Sequence, residues 1–178
     1  MRLFIAINFP AEMKAAIAKI RDRIKDAAFR GNFTLTENLH LTLVFLGECD
    51  TQQTEVIKSI IEETKFSEFT LSLDKVGYFK RDGGNTWWVG LKENKSLSGL
   101  QADLSGRLRK KGFIMESRKY LPHVTIGREV KMRTGLVQPE VPKICCIVTS
   151  IELMKSERFD GKLVYTSIFS KKQNLIIK

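Results

Sequence analysis

Apolar residues recur along this chain with two different periods, and the switching between them marks out its elements. Arg2 to Asn8 is an apolar run that reads as a first strand. Pro10 stands where a proline can open a helix. Met13, Ile17, Ile20, Ile24 and Ala27 follow at spacings of three and four, one stripe on a helix that Gly31 is expected to stop. Leu39 to Leu46 reads as a second strand, ended by Gly47. Thr51 to Lys65 returns to the helical spacing through Val56, Ile57, Ile60 and Ile61. Phe69, Leu71 and Leu73 alternate with Thr70 and Ser72, the pattern of a half-buried strand. Arg81 to Asn85 is a turn and Thr86 to Leu91 the next strand. Leu97, Leu100, Leu104 and Leu108 mark a third helix that stops near Gly112. Pro122 to Arg128 is a strand, and Thr134 to Lys143, with two prolines and a glycine, a loop. Ile144 to Met154 and Leu163 to Phe169 close the chain as two strands, joined by a hairpin at Asp160-Gly161.

A repeat emerges from this order. Strand, helix, strand occurs once between about residues 2 and 46 and again between about 86 and 128. Phe4 precedes His40 by nearly the same interval as Trp88 precedes His123. The two halves are expected to fold alike and to face each other. No Gly/Ser-rich linker separates them, so residues 1–178 are expected to form a single bilobal α+β domain. Each pseudo-symmetric lobe would hold an antiparallel-rich sheet covered by helices, with the active-site cleft between the lobes.

Composition narrows the class. Apolar residues make up 43% of the chain, which rules out a disordered or fibrous protein. No run approaches the roughly 20 apolar residues of a membrane span. Leu3 to Ile7 is too short for a signal-peptide core, so a cytoplasmic protein is expected, without membrane contact. Cys49, Cys145 and Cys146 are a poor disulfide framework and lack metal-ligand spacing; buried free thiols are expected. The formal net charge of +10 suits a polyanionic partner such as RNA. Arg107, Arg109, Lys110 and Lys111 read as a solvated helix end, where cations suit the helix dipole. Arg118 and Lys119, closer to the second histidine, are better placed to touch phosphate.

The chain has only two histidines, and both stand in the same frame. His40-Leu41-Thr42-Leu43 and His123-Val124-Thr125-Ile126 each read His, aliphatic, Thr, aliphatic. Residues i and i+2 of a strand share a face, so His40 projects with Thr42 and His123 with Thr125, while the aliphatic residues enter the core. An isolated His-x-Thr is close to noise. Two copies at equivalent places of a repeat are a strong signal. Two imidazoles supply what metal-free phosphodiester hydrolysis needs, one taking a proton from water and the other giving one to the departing alkoxide. The threonine hydroxyls can bond the non-bridging oxygens, where charge builds up. A strained 2′,3′-cyclic phosphate is a fitting substrate, and no metal or other cofactor is expected.

These blocks resemble the two-histidine phosphoesterases, and specifically the RNA 2′,3′-cyclic phosphodiesterases, also called 2′-5′ RNA ligases. Arg2 to Ile7 is similar to the family's opening strand, Glu37 to Glu48 to its first motif block, Val76 to Phe79 and Trp88 to Leu91 to its middle strands, and Pro122 to Arg128 to its second block. The resemblance implies an enzyme that opens a terminal 2′,3′-cyclic phosphate on RNA and leaves a 2′-phosphomonoester. It implies His40 as proton donor and His123 as proton acceptor, with Thr42, Thr125 and Arg128 on the phosphate. Arg118 and Tyr120 join them as candidate substrate contacts, and the protein is expected to act as a monomer. Phe33 stands nearest to where the family often carries a Trp; Phe33, Phe79 and Tyr120 could stack bases. Trp87 and Trp88 must point to opposite faces, one of them into the core. Two other readings stay open: 2′-5′ ligation or cleavage on the same site, and an RNA-binding protein without turnover.

Overall fold

Both faces of the first strand are covered. In β1 (Arg2–Asn8) Leu3, Ile5 and Ile7 are buried on one side, and Phe4 and Ala6 on the other. That explains a continuous apolar run where a half-exposed strand would alternate. β1 therefore lies inside its sheet, between β3 (His40–Glu48) and β8 (Ser150–Phe159), with β9 (Lys162–Lys172) beyond, in the order β3-β1-β8-β9. The second sheet has five strands in the order β2-β6-β5-β4-β7: β2 (Ala28–Phe33), β6 (His123–Met132), β5 (Asn85–Leu91), β4 (Phe69–Phe79) and β7 (Cys145–Val148). Every strand pair is antiparallel. This computed structural model describes residues 1–114, 117–133 and 138–173.

Three helices complete an α+β fold. α1 (Ala11–Ala27) buries Met13, Ile17, Ile20 and Ile24, and α3 (Lys95–Lys110) buries Leu97, Leu100, Leu104 and Leu108, the two expected stripes. α2 (Thr51–Glu63) starts at Asp50, whose carboxylate accepts the Gln53 N–H at 2.7 Å while the Gln53 amide oxygen accepts the Asp50 N–H. That reciprocal cap satisfies two otherwise orphaned donors. The helices cross over between the halves. α1 belongs to the first repeat but packs on β2 and β6 of the second sheet, and α3 of the second repeat reaches β3 of the first. One continuous buried cluster consequently runs through both sheets and all three helices.

The structure departs from the sequence reading in four places. Gly31 does not stop α1; the helix ends at Ala27 and the chain turns directly into β2. Gly31 lies within that strand because a side chain there would come within 2.9 Å of Val130. Gly47 does not end the first motif strand either; it sits within β3 at φ 77°, opposite Leu3 beside an irregularity in the pairing with β1. Ile144 to Met154 is not one strand. β7 ends at Val148 in the second sheet and β8 begins at Ser150 in the first, and the Thr149 carbonyl between them accepts the Gln173 N–H. Cys145 is exposed, because neighbours on β7 face opposite ways and Cys146 takes the inner side. Of the expected loop Thr134 to Lys143, residues 134–137 lie outside the described residues. The basic end of α3 is a solvated face as expected, with Arg107 paired to Asp103 at 2.8 Å and to Glu63 at 3.9 Å.

Candidate active site

The two motif strands bring equivalent side chains to facing positions. On β3, Leu41 and Leu43 enter the core, leaving His40 and Thr42 half-buried on the other face. On β6, Val124 and Ile126 are fully buried, leaving His123 and Thr125 half-buried. The pairing of β5 with β6 slips between Trp87 and Trp88, which face Gly127 and Thr125. An extra residue on one strand reverses the alternation beyond it. Arg128, rather than Gly127, therefore continues the line of His123 and Thr125, and its charge reaches both imidazoles.

Each ring is fixed by the same local bond. His40 Nδ1–H donates to the carbonyl of Asn38 at 2.7 Å, and His123 Nδ1–H donates to the carbonyl of Leu121 at 2.7 Å. A carbonyl only accepts, so Nδ1 carries the proton in both rings and Nε2 is left for chemistry. The Thr42 hydroxyl reaches His40 Nε2 at 3.0 Å. Asn38 is itself held: it is buried at the end of a 3₁₀ turn (Thr36–Asn38), and its amide donates to the Leu163 carbonyl on β9 at 2.7 Å. Tyr120 links the two motifs, its hydroxyl donating to the Thr42 carbonyl at 3.0 Å, while the Thr34 hydroxyl donates to the Thr125 carbonyl.

Aromatic rings support both imidazoles. Phe4 lies 4.8 Å from His40 and Tyr165 meets its face edge-on at 5.1 Å. Phe79 meets His123 edge-on at 5.3 Å, and Trp88 lies 6.3 Å away. Phe4 and Trp88, the equivalent positions of the repeat, thus support the equivalent histidines. Trp87 is the core residue of its pair, and Trp88 takes the site face, in space left by two glycines. A Cβ on Gly77 would lie 2.4 Å from the Trp88 ring and one on Gly90 3.1 Å from it. Phe33 packs instead over Gly31 and Gly127.

Burial and surrounding cations both disfavour charged imidazoles here. Burial, with smaller contributions from Lys14, Arg128 and His123, lowers the His40 pKa to about 4 against the opposing pull of the Asn38 carbonyl. His123 is lowered too, first by burial and then by Arg128. The charge of His123 is felt at His40. Burial also raises the Tyr120 hydroxyl pKa, keeping it a neutral donor. Lys14, whose ammonium donates to the Glu37 carbonyl at 2.8 Å, and Tyr165 carry no motif in the sequence. Arg118 is exposed in the segment leading to Tyr120. Among the described residues no group of three or more His, Cys, Asp or Glu is placed to hold a metal, and no helix is long and apolar enough to cross a membrane.

The depressed His40 pKa has a stability consequence. An unfolded imidazole takes up its proton below about pH 6.5, while the folded one resists until about 4. Acidification through that window therefore favours unfolding, by about 3 kcal/mol at its lower end. His40→Asn should remove this part of the acid sensitivity. Urea unfolding of both proteins at pH 7 and pH 4.5 measures it, and the same loss on acidification in both would contradict the assignment.

Comparison with known proteins gives a consistent result. The model of the 2′-5′ RNA ligase superfamily matches residues 9–160. The RNA 2′,3′-cyclic phosphodiesterase of Thermotoga maritima is 35% identical over 131 residues, 72% of this chain and 70% of that protein. The protein of the same name from Escherichia coli K12 is 28% identical over 168 residues, 94% and 93% of the two chains. Among solved structures, E. coli LigT complexed with 3′-AMP superposes with a TM-score of 0.84 at 27% identity, covering 97% of each chain.

Proposed function

Because this chain belongs to the 2′-5′ RNA ligase superfamily, we propose that it hydrolyses terminal 2′,3′-cyclic phosphates on RNA to 2′-phosphomonoesters, without a metal, by acid–base catalysis between His40 and His123. The observation that carries this reading is the pair of imidazoles with Nδ1 tied to a carbonyl and Nε2 left for chemistry. Relatives named for this activity support the substrate class.

In the proposed reaction, His123 Nε2 takes a proton from water. The hydroxide attacks phosphorus in line with the bond to O3′, which breaks, and His40 Nε2–H protonates O3′. That leaves the phosphate on O2′. The division of roles follows the family resemblance. The steps need His40 charged and His123 neutral; His40, neutral in the free site, takes a proton from solvent on Nε2 as the phosphodiester binds, because a nearby anion raises the pKa of an imidazole. Once His40 is protonated its Nε2 no longer accepts, so the Thr42 hydroxyl is released to donate to a phosphate oxygen. Thr125 does the same from the other strand, and Arg128 offsets the charge that builds up. Arg118 is proposed to meet the RNA backbone and Tyr120 to hold the two motifs in register. A 5′-hydroxyl of a second RNA in place of water would give 2′-5′ ligation by the same steps, a reading that the family's name favours.

Incubation of an RNA oligomer ending in a 2′,3′-cyclic phosphate, in excess chelator, tests the proposal. The expected product is the 2′-monoester, with 2′-5′ joined RNA appearing only when a 5′-hydroxyl strand is supplied. A 3′-monoester would reverse the regiochemistry. Activity lost in chelator and restored by a divalent ion would point to a different chemistry.

A further inference from the structure

An in-line reaction places the ribose as well as the phosphate. Water enters from His123 and O3′ departs toward His40, so the terminal ribose lies on the His40 side, over the first sheet. C5′ branches from the carbon next to C3′, and the phosphate that joins the terminal nucleoside to the rest of a strand is therefore on that side too. The side chains there form a row. Arg2 pairs with Ser156, and Ser156 with Tyr165, so the three stand abreast on one face. Arg2 and Tyr165 are thus about 10 Å apart at the backbone, with only the short Ser156 side chain between them. Direct contacts join this row to the site. The Tyr165 ring lies 5.1 Å from that of His40 and 5.0 Å from that of Phe4. The Arg2 guanidinium lies over Phe45, 5.2 Å from the ring centre, and Phe45 pairs with Phe4. Arg2 and Phe45 are exposed, and Ser156 and Tyr165 half-buried. Among the described residues no carboxylate pairs with Arg2, and nothing bonds the hydroxyl of Tyr165 or Ser156. Glu48, opposite Arg2 on β3, is held by the N-terminal ammonium at 3.4 Å. Burial raises the Tyr165 pKa, so its hydroxyl stays a neutral donor, while Arg128 and then Arg2 pull it the other way.

We propose that Arg2 and Tyr165 form a second anion subsite, which binds the phosphate on O5′ of the terminal nucleoside, so that RNA ends are preferred to free nucleoside cyclic phosphates. The inference rests on the cyclic phosphodiesterase reading of the site. A guanidinium offers parallel N–H donors to two phosphate oxygens, and the phenol O–H adds a donor for a third. Arg128, whose charge reaches both histidines and Tyr165, serves the reacting phosphate and stands within range of the second. Neither Arg2 nor Tyr165 addresses a base edge in this arrangement. The preference is therefore for a strand, whatever its terminal base.

The test is kcat/KM for adenosine 2′,3′-cyclic phosphate and for the same compound carrying a 5′-phosphate, with the native protein, Arg2→Gln and Tyr165→Phe. The native protein should favour the 5′-phosphorylated compound by at least about tenfold, the scale of one hydrogen bond to a charged group, chiefly through KM. Each variant should bring that ratio toward unity. Tyr165→Phe keeps the ring against His40, and a disturbed imidazole slows both substrates alike, so the ratio is the readout. A native ratio near unity, or a ratio undiminished in either variant, would overturn the inference. No turnover of either compound would reject the catalytic reading instead. Equilibrium binding of adenosine 2′-monophosphate and adenosine 2′,5′-bisphosphate then decides the subsite. Tighter bisphosphate binding that both variants weaken supports it; equal affinity, or binding unchanged in the variants, overturns it.

Discussion

Replacing His40 or His123 by Ala should lower kcat/KM for a nucleoside 2′,3′-cyclic phosphate by about 10²–10⁴ in each case, the usual contribution of one positioned acid or base. Combining the two should cost much less than the product of the single effects, because residues that act as a unit are not additive. Without His123 nothing draws the proton from water, and without His40 the O3′ alkoxide leaves unprotonated. The two carbonyl bonds and the shared electrostatics of the rings motivate this expectation. Steady-state kinetics on the three variants, with a folding check by circular dichroism, measures it. Near-normal turnover in both single variants would reject the mechanism.

Gly77→Ala should have a large effect although it touches neither histidine. The new Cβ would lie 2.4 Å from two atoms of the Trp88 ring, far inside contact distance. Trp88 is 8% exposed and confined on its other side by Gly90 and Phe79, so it cannot swing clear without disturbing the strand. Overpacking of this kind costs about 1–3 kcal/mol. Any displacement of the ring reaches His123, which packs against both Trp88 and Phe79. The melting temperature and kcat should therefore fall together. Gly99→Ala is the control: it lies in α3 with open space around it, and replacing a helical glycine should stabilise by about 0.5–1 kcal/mol. A Gly77→Ala protein as stable and active as the native one would show that Trp88 does not hold His123.

The elements that announce themselves in the sequence are those whose burial repeats locally. The stripes of α1 and α3 and the apolar run of β1 are of this kind, and so is the doubled His-x-Thr frame, since period-two geometry makes each copy interpretable alone. Elements defined by distant partners were not legible. β2 reads Ala-Phe-Arg-Gly-Asn-Phe, without alternation, and is a strand only because β6 bonds its edge. The break at Thr149 lies inside a long apolar run, because β7 pairs with β4 while β8 pairs with β1. At the site, Trp88 was visible as a residue, but its role depends on Gly77 across the β4–β5 pairing. Lys14 and Tyr165 lie far from either motif, and only the tertiary fold brings them to His40.

A chain with two histidines allows an unusually direct test of whether they work as one pair. Imidazole ¹⁵N spectra recorded against pH, with and without a nucleoside 2′-monophosphate, report the tautomer and pKa of each ring separately. Both rings should carry the neutral proton on Nδ1, both should titrate below 6.5 in the free protein with His40 lowest, and the nucleotide should raise both pKa values with one dissociation constant. A ring protonated on Nε2, or a nucleotide that moves one histidine and leaves the other unchanged, would contradict a single phosphate held between them.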